Sequence, residues 1–194
     1  LVGHTSSSNA GLLSVKGAAG ASTGAGQITI LKGAAVSGAD QHIGSLNFGE
    51  GSANTAIIKA FTNANWTGSS RPTYMTFETT PSSSGSPTER VRITSDGRLL
   101  VGTSSARTNY NNSSAYGPLL NLEGTSNSNR VLSFIHNDSS GGPMLVLGST
   151  GGSTAGSNDL VAAQSTLGFL SWQGADGSEL VEAASIKVQV DGTP

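Results

Sequence analysis

The chain has 194 residues, a formal net charge of −2 and only 11% charged residues. It contains no cysteine, so disulfides and thiolate metal sites are excluded. No apolar run is long enough for a membrane helix, and no cluster of Lys and Arg predicts binding to nucleic acid or to an anionic membrane. Because the sequence starts at Leu1 and stops at Pro194 in mid-pattern, we interpret it as a segment of a longer protein.

Glycine and serine are abundant, and large apolar residues are sparse. The low net charge still favours a folded chain over a disordered one. Small units with few bulky side chains bury a limited fraction of their surface, so another source of burial is needed. We therefore expect copies of the chain to associate with one another.

The start of the chain, Leu1-Val2-Gly3, returns later as Leu100-Val101-Gly102. Four further pairs of similar segments keep the same order: 11–17 with 118–124, 27–31 with 130–135, 43–48 with 167–172, and 56–60 with 184–188. Ordered matches of this kind predict a tandem repeat. We assign residues 1–98 to the first β repeat and residues 99–194 to a second, which is incomplete at its C-terminal end.

Within each repeat the hydrophobic pattern has a period of two, which is typical of strands with one buried face. The alternating side chains that we expect in the core are Met75 and Phe77, Leu170 and Trp172, and Val188 and Val190. Gly/Ser-rich stretches at 18–26, 81–87 and 149–157 predict loops. Residues 180–186 are the one helical candidate, of a single turn at most, so the predicted fold is all-β, with tandem β-rich repeats and long loops.

Asp96-Gly97 lies between two apolar strands, at 91–94 and 99–101. Asp and Gly tolerate the positive φ of a tight turn, so we predict a β-hairpin with a two-residue loop at this point.

The same hairpin carries a recognisable signature, Glu89-Arg90-Val91-Arg92-Ile93 followed by Gly102-Thr103. It resembles the Glu-Arg-hydrophobic-Arg-Ile hairpin ending in Gly-Thr of phage tail fibre, tailspike and neck-appendage proteins. Residues 74–81 resemble the strand that precedes this hairpin in such proteins, and residues 183–194 resemble the part before that strand.

The resemblance implies an elongated homotrimeric fibre in the tail or an appendage of a virion, outside the cell. Its implied partners are two further copies of the chain, other virion tail proteins, and a polysaccharide or protein receptor on the host surface. Arg90 and Arg92 are then expected to form ion pairs between chains or to cover apolar surface. Nothing in the sequence resembles the self-cleaving chaperone domain that often follows the hairpin in this family.

Catalysis is not expected. A polysaccharide-cleaving site would need two carboxylates about 5 to 10 Å apart. The candidates lie in or beside Gly-rich, loop-like sequence, where acids usually serve turns and solubility: Asp40, Glu50, Asp176, Glu179 and Glu182. Neither a Gly-x-Ser-x-Gly elbow nor a phosphate-binding loop is present in the sequence.

We also expect no cofactor and no metal. Threefold symmetry could bring copies of one histidine (His4, His42 or His136) around an ion. Asp138 and Asp159 could similarly serve calcium. An exposed or hydrogen-bonded side chain is the better interpretation of each of these residues.

Aromatic side chains in loops are the best candidates for contact with a glycan, because a ring face packs on the C–H surface of a sugar. Neighbouring Asn side chains can hydrogen-bond to its hydroxyl groups. The predicted contacts are Trp66, Tyr110, Asn111, Asn112 and Tyr116, with Tyr74, Asn63 and Asn65 as further candidates. A core position for Trp66 is the alternative.

The function predicted from the sequence is a structural and adhesive component of a phage tail fibre or similar appendage, whose loops attach to a host surface. A repetitive cell-surface adhesin or extracellular filament protein is the alternative, and a polysaccharide depolymerase is the third.

Overall fold

The structure is a computed structural model that describes residues 28–108, 117–127, 129–137 and 139–192. The predicted segments at 1–7, 11–17 and 18–26 lie outside these residues. Eight strands and no helix occupy the described residues: β1 (His42–Glu50), β2 (Ala53–Thr62), β3 (Thr73–Thr79), β4 (Thr88–Ile93), β5 (Leu99–Val101), β6 (Leu120–Leu122), β7 (Thr166–Ala175) and β8 (Leu180–Gln189). The predicted all-β fold is confirmed. The chain divides into two compact units between Thr88 and Glu89, and the tandem repeat stays a prediction.

The first unit contains an antiparallel meander of β1, β2 and β3. A two-residue loop joins β1 to β2, and Gly51 in this loop has a φ of +60°. Glycine adopts that conformation at little cost, which is why it suits the turn. The connection from β2 to β3 is longer and consists of residues 63–72.

The buried face of β3 is the polar one. Tyr74 and Thr76 are 6% and 1% exposed, whereas Met75 is 40% exposed. The prediction of a core position is therefore wrong for Met75, and Phe77 is only half-buried. The reason lies in the polar partners on this face. Lys59 Nζ on β2 donates to Glu78 Oε2 at 2.7 Å, and Thr76 Oγ1 donates to Glu78 Oε1 on the same strand at 3.2 Å. These bonds satisfy polar groups that would otherwise be costly to bury.

Three rings follow one another across the same face of this sheet. Phe61 stacks on Tyr74 with ring centroids 5.2 Å apart, and His42 lies 5.4 Å from Phe61 at a tilt. Offset ring pairs at such distances are favourable beyond the area that they bury. The polar face thus gains an aromatic cluster at the end of the strands where the loop 63–72 begins.

The second unit begins with the signature hairpin. β4 and β5 are antiparallel, with Val91 opposite Val101 and Ile93 opposite Leu99. Thr94 N donates to Arg98 O at 3.0 Å, and Gly97 N donates to Thr94 O at 3.0 Å. The hairpin is confirmed, but its loop has three residues (95–97) and not two, with positive φ at Gly97 alone. A type I turn followed by glycine in the left-handed region is the usual form of such a loop.

β6 pairs with β5 in parallel, and this pairing buries Leu100 and Asn121 at 0% and 4% exposure. The glycine of the signature, Gly102, comes directly after β5 and has a φ of +78°. A Cβ atom at this position would lie 2.1 Å from the carbonyl oxygen of Glu123. Both the conformation and the close approach of the backbone therefore require glycine.

β7 and β8 form a long antiparallel hairpin. Residues 180–186, the helical candidate, belong to β8. The turn has Gly177 and Ser178 at its centre, and Asp176 N donates to Glu179 O at 3.1 Å to close it. Leu170, Trp172 and Val188 are each at least 41% exposed, so the prediction that these residues lie in the core is wrong.

The two long hairpins share one pairing register. Segments matched by sequence also match in their cross-strand partners: Leu46 faces Ile58 as Leu170 faces Ile186, and Gly44 faces Ala60 as Gly168 faces Val188. The register also shifts at corresponding points, after His42 and Phe48 in one hairpin and after Thr166 and Trp172 in the other.

A side chain lies against a glycine at the same place in both hairpins. Ile30 lies against Gly44 and Leu147 lies against Gly168, where an added Cβ would stand 2.3 Å and 3.0 Å from them. This contact makes Leu147 the spatial counterpart of Ile30, whereas the sequence match had paired residues 27–31 with 130–135.

Candidate functional site

Each sheet leaves an apolar face exposed. Paired residues on neighbouring strands point to the same side of a sheet, so the register defines each face. On the β1–β2–β3 sheet the exposed apolar face contains Leu46, Phe48, Ile58, Met75 and Phe77. On the sheet of β4, β5 and β6 it contains Val91, Ile93, Leu99, Val101, Leu120 and Leu122.

The β7–β8 hairpin shows the same property. Its apolar face contains Leu170, Trp172, Ile186 and Val188, and each of these side chains is at least 41% exposed. By contrast, Ile57, Tyr74 and Leu100 are the buried hydrophobic residues of the described chain. Contiguous exposed apolar faces of this kind mark association surfaces.

Two apolar segments of the second unit lie outside every strand of the described chain. Residues 130–137 and 143–148 belong to no strand, and their apolar side chains are exposed, with Ile135 and Met144 at 77% and 79%. These side chains therefore enlarge the exposed apolar surface of the second unit.

The loop 63–72 contains Trp66, Asn63 and Asn65, which were predicted as glycan contacts. Trp66 Nε1 donates to Pro72 O at 3.3 Å, and Thr67 N donates to Ser70 O at 2.9 Å. The guanidinium carbon of Arg71 lies 5.9 Å from the centroid of the indole. Trp66 is half-buried in this loop, and its role as a glycan contact stays a prediction.

Trp66 lines an open pocket of about 480 Å³ in the first unit. One wall is the segment that precedes β1, and the other is the loop 63–72. Its lining residues are Leu31, Lys32, Ala34, Ala35, Val36, Ile43, Trp66, Thr67, Gly68 and Arg71.

Thr62 anchors the segment before β1 to the end of β2. Its side chain is fully buried, and its Oγ1 donates to Gly38 O at 2.8 Å and accepts from Gln41 N at 3.0 Å. Asp40 N and Thr62 O add a further hydrogen bond of 2.7 Å. These bonds hold the segment before β1 against the end of β2, where the loop 63–72 begins, so they fix the two walls of the pocket relative to each other.

Sequence reasoning missed Lys32 and Arg71 as residues of this site. They stand far apart in the chain, and no local motif connects them. Of the other predicted contacts, Tyr110, Asn111, Asn112 and Tyr116 lie outside the described residues. Tyr74 is buried and is therefore not an exposed contact.

Three of the acid candidates have structural partners in their own surroundings. Asp40 accepts a hydrogen bond from the hydroxyl of Tyr74, and Glu182 accepts one from Ser171 Oγ at 2.9 Å. Asp176 Oδ1 accepts from the backbone N–H groups of Ser178 and Glu179, at 2.8 and 2.9 Å. These backbone donors, the Glu179 one above all, hold the pKa of Asp176 below its ordinary value.

Cations of the second unit pair within the chain. Arg92 makes a two-pronged contact with Glu89, at 2.8 and 2.7 Å. Arg107 donates to Glu123, and this hydrogen bond is the main reason why the pKa of Glu123 lies below its ordinary value.

No cluster of three His, Asp or Glu side chains suited to a metal ion occurs among the described residues. His42 packs against Phe61, and His136 is exposed. His4 and Asp138 lie outside the described residues. No described helix is long and apolar enough to cross a membrane.

Fold and surfaces together define a β-rich module whose sheets keep apolar faces open. No protein-family model and no curated protein matches the sequence. In structure, the chain is similar to the carboxy-terminal domain of the L-shaped tail fibre of bacteriophage T5, with a TM-score of 0.53 and 14% sequence identity. The similarity covers 95% of this chain and 74% of that domain. At 14% identity this similarity establishes the fold alone. The predicted resemblance to a tail fibre is therefore confirmed for the fold.

Proposed function

We propose that the chain is a non-catalytic structural and adhesive component of a phage tail fibre or a similar virion appendage. It associates as a homotrimer, joins other tail proteins, and displays its loops toward a receptor on the host surface. Its place is the virion, outside the cell.

The exposed apolar faces carry this proposal. A monomer that leaves Leu46, Phe48, Trp172 and Ile186 in water forgoes the burial that stabilises other domains of its size. Copies of the same chain supply complementary apolar faces, and the segments 130–137 and 143–148, which lie outside every strand, supply backbone for strand pairing between chains. The fold similarity to a tail fibre domain and the shared register of the two hairpins agree with a module of a repetitive fibre.

The adhesive part of the proposal rests on the loops. In a trimer each loop occurs three times, so weak contacts to a repetitive surface gain from avidity. A non-catalytic role agrees with the hydrogen bonds that engage Asp40, Asp176 and Glu182 in turns and cross-strand contacts.

Light scattering of the purified chain over a range of concentrations tests the proposal. We expect a mass three times the 19.4 kDa of one chain that does not change on dilution. A folded, monodisperse monomer of 19.4 kDa at all concentrations would overturn the association on which the fibre depends.

A further inference from the structure

The pocket beside Trp66 carries positive charge in a chain that is negative overall. Lys32 and Arg71 both line it, and no Asp or Glu is among its lining residues. The ion pairs of the described chain engage other cations, namely Lys59, Arg92 and Arg107. The charges of Lys32 and Arg71 therefore remain available to a ligand.

Arg71 lies beside an aromatic ring. Its guanidinium lies over the indole of Trp66, and the indole is itself held by its hydrogen bond to Pro72 O. A guanidinium placed in this way can donate two parallel hydrogen bonds to one carboxylate or phosphate. Prior positioning of the indole lowers the entropic cost of binding.

The remaining walls are apolar or small. Leu31, Val36 and Ile43 offer a surface for C–H groups, and Gly68 leaves one side open. A volume of about 480 Å³ lies within the range of about 300 to 1,000 Å³ that is usual for small-ligand sites. Two cations and one indole suit a single sugar residue better than a nucleic acid strand, which needs a longer row of positive charge.

From these observations we propose that the pocket formed by Lys32, Trp66 and Arg71 binds a saccharide unit that carries an acid group, either a carboxylate or a phosphate. The inference rests on the adhesive role proposed above and names the class of receptor. Arg71 and Lys32 hold the anionic group, and the indole of Trp66 packs on the C–H face of the ring.

Two matched sugars provide the test: methyl β-D-glucuronide, which has a carboxylate, and methyl β-D-glucoside, which has none. Glucose 1-phosphate and inorganic phosphate are added separately. The readout is the pair of indole N–H signals of Trp66 and Trp172 in a ¹⁵N-correlated NMR spectrum, assigned with a Trp66→Phe variant. Because the chain contains two tryptophans, Trp172 serves as an internal reference.

We expect the glucuronide and glucose 1-phosphate to shift the Trp66 signal in a saturable way, without moving the Trp172 signal. A glucuronide response alone assigns the carboxylate as the acid group, and a glucose 1-phosphate response alone assigns the phosphate. Arg71→Gln should raise the Kd at least about tenfold, since it removes the charge-assisted hydrogen bonds. Gly68→Leu, which places a side chain at the open rim, should also weaken binding, and Lys187→Gln on β8 should leave it unchanged.

A response to the glucoside as large as the response to the acidic sugars would overturn the inference, as would a response to inorganic phosphate that equals the response to glucose 1-phosphate. Absence of any saturable shift would do the same. The mass of the same sample, measured by light scattering, separates this result from the fibre proposal. A trimer whose Trp66 signal does not respond would contradict the saccharide site alone. A monomer whose Trp66 signal does respond would contradict the trimer and leave the saccharide site standing.

Discussion

The hydroxyl of Tyr74 donates a hydrogen bond of 2.8 Å to Asp40 Oδ1 across 34 residues of sequence. Tyr74 lies on β3, and Asp40 precedes β1 with a φ of +56°, which few residues other than glycine adopt. The bond therefore connects the third strand of the meander to the segment that precedes its first strand. It therefore fixes the chain where one wall of the Trp66 pocket meets the sheet.

Replacing Tyr74 with Phe tests this bond. We expect the free energy of unfolding to fall by about 1 kcal/mol, because a hydrogen bond to a charged but accessible carboxylate is lost while the ring remains. Urea denaturation at one fixed protein concentration measures the change. Asp40→Asn keeps an acceptor for the hydroxyl and should cost less. Equal stability of Y74F and the unaltered chain would contradict the role given to this bond.

Thr62→Val should lower the free energy of unfolding more than Tyr74→Phe does. Valine has nearly the same shape as threonine, so the change removes the hydroxyl and little else. The backbone N–H of Gln41 and the carbonyl oxygen of Gly38 then lose their hydrogen-bond partner, and the side chain of residue 62 is fully buried. We expect a loss of about 1 to 3 kcal/mol in the same denaturation experiment. Thr62→Ser keeps the hydroxyl and serves as the control. If valine were tolerated better than serine, packing and not hydrogen bonding would anchor the segment.

Gly97 and Gly102 form a natural matched pair, because both have a φ of +78°. An added Cβ meets nothing within 4 Å at Gly97, whereas at Gly102 it lies 2.1 Å from Glu123 O. Gly97→Ala should cost about 1 kcal/mol for its conformation alone. Gly102→Ala should cost clearly more and disturb the pairing of β5 with β6. Equal losses of stability in the two variants would show that the backbone approach at Gly102 has no consequence.

Asp176 should titrate below the usual range of an aspartate, and ¹³C NMR of its carboxyl group measures this pKa directly. Backbone N–H groups of the β7–β8 turn stabilise the ionised form. The folded pKa is thus depressed, so the stabilising effect is present above the unfolded pKa, near 4, and is lost as pH falls through the folded pKa. Ser178→Ala removes a hydroxyl donor and should move the pKa part of the way back. A midpoint at the ordinary value would contradict the turn geometry.

Leu46→Glu should weaken self-association if the apolar face of the first sheet is an interface. The side chain is 48% exposed within one chain, so the substitution places a charge at the interface and leaves the monomer fold intact. Light scattering should show dissociation at concentrations where the unaltered chain remains trimeric. Asn47→Glu adds the same charge to the opposite face of β1 and should retain the trimer. An unchanged mass for L46E would exclude this face from the interface.

The sequence by itself determined the class of structure. Period-two alternation and Gly/Ser-rich loops are local properties, and they gave the all-β fold and the positions of most strands. Asp96-Gly97 located the hairpin, although the loop proved one residue longer because Gly97 alone takes the positive φ. The same local reasoning placed Trp66 in a loop, between β2 and β3.

Only the tertiary structure decided which face of each strand is buried and which loop residues meet. Alternation shows that β3 has two faces, but the choice of Tyr74 and Thr76 over Met75 depends on Lys59 across the sheet, which pairs with Glu78 on the same face of β3. Lys32 and Arg71 line the same pocket because the hydrogen bonds of Thr62 hold their two segments together. No local sequence pattern relates two positions so far apart in the chain. Strand pairing between remote segments sets these relationships, and that pairing is a property of the whole fold.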